Sequence, residues 1–330
     1  MVETKRGVEV RGCRLRCIPP HWAAWRCFAP LLLGVLCIPS LSLGSDLVVQ
    51  LGHGEALEFV WVPPPGQFRM GLTEDELQTL REQARDYPAF QREMPAHEVV
   101  ISTGFYMAKY EITRGQWEAV MGSRPWAGLA VCRDESDDDL ARCPASMLSY
   151  DSVLSFIDSL NQAAGAALFR LPTEAEWEYA CRAGTTGLWS GERDVTALSF
   201  RAWFHTFTHT SDVLPVGSRG PNAWGLHDML GNVWEWCQDW AYRDYRAATE
   251  VDPTAPASGS DRVVRGGNMK SDPYYALRSA FRGAARPSTA YGYDETFGAY
   301  LVRVGPRVTA VEETGWGSVK EQLGDPRGER

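Results

Sequence analysis

The apolar positions of this chain change period from segment to segment. In LEFVWVPPPGQFRMG, Leu57, Phe59 and Trp61 alternate with polar or smaller neighbours, and Pro63 to Gly66 carries turn residues, which predicts a β-hairpin. HEVVISTGFYMAKYEI, His97 to Ile112, predicts two more short strands broken at Gly104. Elsewhere the spacing becomes helical. Thr113 can cap a helix running to Met121, with Gln116 at the reciprocal capping position and Gly122 as the stop. Asp151 to Gln162 places Val153, Leu154, Ile157 and Leu160 on one face. Leu171 to Gly184 reads as a third helix, capped by Thr173 with Glu176 completing the box, stopped at Gly184, and burying Trp177, Ala180 and Cys181.

One segment fits neither period. GLHDMLGNVWEWCQDW, Gly225 to Trp240, interleaves three tryptophans with Asp228, Asn232, Glu235, Gln238 and Asp239. Large indoles prefer burial, and carboxylates taken out of water must be paired, hydrogen-bonded or bound to a cation. The segment therefore reads as a tightly wound loop around a polar centre, with Gly225 and Gly231 permitting sharp turns.

Charge and cysteine content set the compartment. The chain opens with six Lys/Arg and two Glu in residues 1–44, followed by an uncharged apolar run from Phe28 to Leu43. That run has the length of a signal-peptide core and falls short of the ~20 residues that span a bilayer. Residues 1–44 are read as a signal peptide or N-terminal anchor, 45–306 as one domain, and 307–330 as a polar, loosely attached tail. The expected location is periplasmic or secreted, with no membrane contact beyond the N-terminal segment. The whole chain carries −9; the first 44 residues contribute +4, leaving −13 for the rest. An acidic domain has no electrostatic case for nucleic acid. Four cysteines follow residue 44, and Cys132 with Cys143 flanks an acidic loop where a local disulfide is expected in an oxidising compartment.

These segments together resemble one family. RLPTEAEWEYACRAGTT (170–186), NAWGLHDMLGNVWEWCQDW (222–240), RVVRGGN (262–268) and LRSAFRGAAR (277–286) are similar to successive signatures of the formylglycine-generating enzyme, or sulfatase-modifying factor, family. VWVPPPGQFRMG and FYMAKYEITRGQWEAVMG fit its N-terminal part in the same order, so the resemblance covers roughly residues 57–304. It implies an α+β fold, irregular and loop-rich, related to C-type lectins. It also implies a structural Ca2+ held by the Asp228 and Glu235 carboxylates and the Gly231 and Val233 carbonyls, a mixed oxygen set that calcium selects.

The activity is another matter. The family's namesake oxidises a sulfatase cysteine to formylglycine through two cysteine thiolates that bind copper(I) and activate oxygen. Those thiolates lie between the glycine pair and the AAR stretch. Here the interval, Asn268 to Gly283, contains no cysteine, and the two positions fall near Ser271 and Arg278. Neither side chain replaces a soft thiolate, so copper is not expected. The resemblance also pairs Cys181 with a cysteine whose place is taken by Gly283, and its usual GFR reads Gly298-Ala299-Tyr300. Two readings of the basic segment stay open. Arg265, Arg278, Arg282 and Arg286, near Tyr274, Tyr275 and Phe281, could line a cleft for an anionic or aromatic ligand; alternatively they pair with Glu235, Asp239 and Asp228. Pocket candidates are Trp234, Asn268, Arg278, Arg282 and Glu295, the last as a base. The leading expectation is an exported binding or accessory module for a secreted partner such as a sulfatase. The alternative is an oxidoreductase, either forming formylglycine or tailoring a secreted small molecule without cysteine.

Overall fold

A computed structural model describes residues 47–307 except 84, 86, 128–131, 133–136, 205–211, 242–243, 255 and 293–294, together with 313–314. The expected signal segment lies outside the described residues. Among the described residues three sheets organise the domain. The first has six strands in the order β14 (Glu313–Thr314), β1 (Leu47–Gly52), β2 (Glu55–Val62), β5 (Phe105–Ala108), β13 (Val302–Arg303) and β6 (Phe169–Arg170). The second runs β10 (Gly283–Ala285), β9 (Arg262–Arg265), β7 (Trp234–Trp240), β12 (Glu295–Gly298) and β11 (Tyr291–Gly292). The third is β3 (Gly66–Met70), β4 (His97–Ile101) and β8 (Glu250–Val251). Around them lie α1 (Glu74–Glu82), a 3-10 turn (Pro88–Glu93), α2 (Arg114–Met121), α3 (Asp137–Arg142), α4 (Tyr150–Ala164), α5 (Glu174–Arg182) and α6 (Val195–Leu198). This mixed architecture is the α+β class expected.

Local chemistry places the helices. Thr113 caps α2 and Thr173 caps α5, each with a reciprocal box to Gln116 or Glu176. Gly122 ends α2 in the left-handed conformation, but α5 ends one residue before the expected glycine, on Ala183 at φ 46°. The expected three-residue stripe of α5 is also too narrow, because every residue from Glu174 to Arg182 is buried. In α4, Phe156 takes the inward place expected of Leu154, which is 37% exposed.

The hairpin expected over 57–70 does not form. β2 already pairs with β1 and β5 on its two edges, so β3 leaves that sheet and pairs with β4. The alternation also fails beyond Phe59: Val60 and Val62 are buried while Trp61 is only half-buried. The reading of 225–240 as loop holds only to Val233. From Trp234 onward the chain is β7, whose first four residues, Trp234 to Cys237, are all buried, so no alternation marks it. Of the tail, Glu313–Thr314 pairs in parallel with Val48–Val49. Cys132 and Cys143 form the expected disulfide, and both sulfurs are buried.

Candidate functional site

The loop from Gly225 to Val233 turns through four residues of positive φ, Gly225 (90°), Asp228 (55°), Gly231 (98°) and Asn232 (55°). Gly231 is required there for a second reason: a Cβ would stand 2.3 Å from the Trp203 carbonyl oxygen. Asn232 gathers the surrounding chain. Its N–H donates to Trp203 O at 3.0 Å, its carbonyl accepts from Met269 N–H at 3.1 Å, and its side-chain oxygen accepts from Leu214 N–H at 3.0 Å. Its amide Nδ2 donates to Glu111 Oε2 at 2.8 Å, and Val233 N–H donates to the other oxygen of Glu111 at 3.3 Å. Tyr300 donates its hydroxyl to the His227 carbonyl, tying the loop to the chain before β13.

Three carboxylates meet this loop out of water. Asp228 Oδ2 accepts from Gly217 N–H at 2.7 Å, and Glu235 Oε2 accepts from the Trp177 indole. Glu235 Oε1 is buried without a hydrogen-bond partner. Both it and the Met229 carbonyl oxygen border Gly266, where a Cβ would stand 3.0 Å from the first and 3.1 Å from the second. Burial pushes all three acids up, Asp228 to about 7 and Glu111 and Glu235 well above the carboxylate range. The Gly217 amide, Arg219 and Arg142 partly offset this at Asp228, as the Trp177 indole and Arg265 do at Glu235. Among the described residues no three acidic, histidine or cysteine side chains are grouped closely enough to hold a metal by themselves. A cation here would need backbone carbonyls to complete its shell, as in the set Asp228, Gly231, Val233 and Glu235.

The facing interval is packed rather than open. Ser271 closes a tight turn, its Oγ accepting from Asn268 N–H at 2.9 Å and donating to Asn268 Oδ1 at 3.1 Å. Arg278 is fully buried. Its two terminal nitrogens donate to Glu93 at 2.5 and 2.7 Å, and its Nε donates to the Tyr274 and Tyr275 carbonyls at 3.0 Å. The guanidinium lies over Phe90 at 4.4 Å, and Phe281 connects this group to Trp234 with ring centroids 5.8 Å apart.

The other arginines are tied into the core in the same way. Arg282 forks onto Glu174 at 2.7 and 2.9 Å and covers the Tyr245 ring at 4.1 Å. Arg265 donates to Glu178 and to the Phe281 carbonyl, and Arg182 shares Glu178 at 2.9 Å. Pairing is therefore the reading that the geometry favours over a lined cleft, but the partners differ from those expected. Glu93, Glu174 and Glu178 take the forks in place of Glu235 and Asp228, two of them because α5 presents its carboxylates to β9, and Asp239 accepts from Glu174 N–H. Trp234, Asn268, Arg278 and Arg282 are all buried, each 9% exposed or less. Glu295 begins β12, but its side chain lies outside the described residues.

With this geometry in place, comparison with known proteins is decisive on family. A profile of the sulfatase-modifying factor enzyme 1-like domain matches residues 46–294. The chain belongs to that family. A formylglycine-generating enzyme of Streptomyces coelicolor is 42% identical over 132 residues, 36% of this chain and 41% of that protein. A serine/threonine-protein kinase pkn1 of Chlamydia pneumoniae is 32% identical over 227 residues, 61% of this chain and 34% of that protein. The matches thus span less than half the length of these relatives. Among solved structures, PvdO from Pseudomonas aeruginosa is 26% identical with a TM-score of 0.61, covering 78% of this chain and 98% of its own. Treponema denticola variable protein 1, at 22% identity and a TM-score of 0.64, shares the fold with the same coverage.

The chain shares the fold of this family. Among the described residues the two free thiols are buried: Cys181 sits between the Ser190 and Ser279 hydroxyls at 3.3 and 3.6 Å with burial pushing its thiol up to about 11, and burial raises Cys237 well above the usual range. A Cβ at Gly283 would meet Val264 Cγ2 at 2.8 Å, so that position is closed by packing. Glu93, Glu111, Glu174 and Glu178 were not singled out by sequence reasoning. Glu111 alone carried a local signal, as an acid isolated between Tyr110 and Ile112 just before a helix cap.

Proposed function

We propose that this chain is an exported sulfatase-modifying factor domain that lacks copper–thiolate oxidase chemistry and acts as a binding or accessory module for a secreted partner such as a sulfatase. The observation that carries the reading is the Arg278–Glu93 fork, which stands where the resemblance puts the second thiolate. A guanidinium offers no lone pair to copper(I), and the interval holds no cysteine. The residues present do not fit copper. The match to a protein named as a kinase supports a modular role, since this domain type occurs there as about a third of a longer chain. The Cys132–Cys143 disulfide and the apolar run ending at Leu43 support export.

Calcium fits where copper does not. The Asp228 and Glu235 carboxylates would hold it with the Gly231 and Val233 carbonyls, and the buried, unpartnered Glu235 Oε1 supports this assignment. When bound, the ion supplies charge compensation and cross-links the loop; it performs no step of a reaction. The binding role is tested by isothermal titration of the protein, with calcium present, against a sulfatase precursor carrying an unmodified CxPxR segment. Saturable binding is expected, and its absence overturns the sulfatase as partner.

A further inference from the structure

We propose that Glu111 is the positioning residue of the cation site, setting the direction of its two carbonyl ligands without touching the ion. This rests on the calcium reading above. The argument begins with peptide geometry. In a planar trans peptide the N–H and the C=O point to opposite sides. Asn232 N–H donates to Trp203 O, so the Gly231 carbonyl is turned away from Trp203. Val233 N–H donates to Glu111 Oε1 and the Asn232 carbonyl accepts from Met269 N–H, so the next peptide is held from both sides. The Gly231 carbonyl and the peptide that leads to the Val233 carbonyl are thereby fixed together.

The backbone here adopts a conformation that asparagine and glycine enter more readily than other residues. Asn232 is left-handed at φ 55° and follows a glycine at φ 98°. Glu111 is the group best able to resist relaxation. It is 0% exposed, and the adjacent Ile112 is fixed by Ala299 at 2.9 Å and Ala145 at 2.7 Å. Both of its oxygens accept from the loop, one from Asn232 Nδ2 and one from Val233 N–H, so it acts through those residues and not as a ligand. The independent pointer to a cation is Glu235 Oε1, a fully buried carboxylate oxygen with no hydrogen-bond partner, on the residue two after Val233.

The test uses the full chain with Tb3+ in place of Ca2+, its luminescence excited through the nearby indoles. Wild type is expected to bind one Tb3+ competed by Ca2+, with lifetimes in H2O and D2O giving the number of coordinated waters. Glu111→Gln puts an amide donor against Asn232 Nδ2. It is expected to weaken Tb3+ by about 10–100-fold, the usual cost of losing an outer-shell partner, and to add coordinated water as a carbonyl withdraws. A merely structural Glu111 would lower the melting temperature and leave affinity and water count unchanged, which overturns the proposal. Asn232→Ser, which leaves Glu111 in place but removes its bond to the loop side chain, gives the same readout if Glu111→Gln does not fold. No sensitised Tb3+ on wild type overturns the calcium reading, and this assignment falls with it.

Discussion

At the scale of single residues, Arg278 and Glu93 illustrate why a buried charge is safe only in company. Both are about fully buried, and each saturates the other with a two-bond fork. Removing one partner strands the other charge in the core, which costs about 3–5 kcal/mol, whereas exchanging both for well-packed apolar residues is often neutral. Glu93→Leu is therefore expected to lower stability by that amount in urea unfolding, and Glu93→Leu with Arg278→Met to recover most of it. Full loss in the double variant would contradict the pairing account. Gly231 supplies a second prediction at this scale. Gly231→Ala brings a Cβ to 2.3 Å from the Trp203 carbonyl at φ 98°, so the Trp203–Asn232 hydrogen bond must break. The expected loss is on the order of 1–3 kcal/mol, the usual range for a strained backbone position, measured by the same unfolding curve.

At the scale of elements, α5 connects the sequence to the ion network. Thr173 Oγ accepts from Glu176 N–H at 3.1 Å, Glu176 returns the bond to Thr173 N–H at 2.8 Å and also forks with Arg170 at 2.6 Å. Thr173→Ala is expected to cost about 1 kcal/mol, a typical cap contribution, read as a shift in the urea midpoint without a change in slope. Such caps were legible in the sequence because their partners lie three residues apart. The ion pairs were not: Arg278 and Glu93 are separated by 185 residues, Arg282 and Glu174 by 108, and Arg265 and Glu178 by 87. The motif blocks marked where the arginines sit, but only the fold decides which carboxylate faces them. β7 escaped detection for a related reason, since a strand covered on both faces has no alternation to read.

At the scale of the whole molecule, the loop of 225–233 joins the sheets. It receives Glu111 from the chain after β5, Trp177 from α5 reaches Glu235 at the start of β7, and Tyr300 reaches back from the chain before β13. A cation bound only in the folded state should stabilise all of it. Calcium at 100 times its dissociation constant is expected to add about 2.7 kcal/mol, seen as a raised melting temperature that EDTA reverses. Removal of a bound ion is therefore expected to weaken the scaffold.

On the proposed reading the family scaffold is kept and an arginine–glutamate pair stands where the resemblance puts a thiolate. Incubation of the purified chain with a CxPxR peptide, copper(I) and oxygen, followed by mass spectrometry of the peptide, tests it most directly. The account predicts an unmodified cysteine at all times sampled. Formylglycine formed in proportion to the protein, and abolished when the protein is omitted, would contradict it.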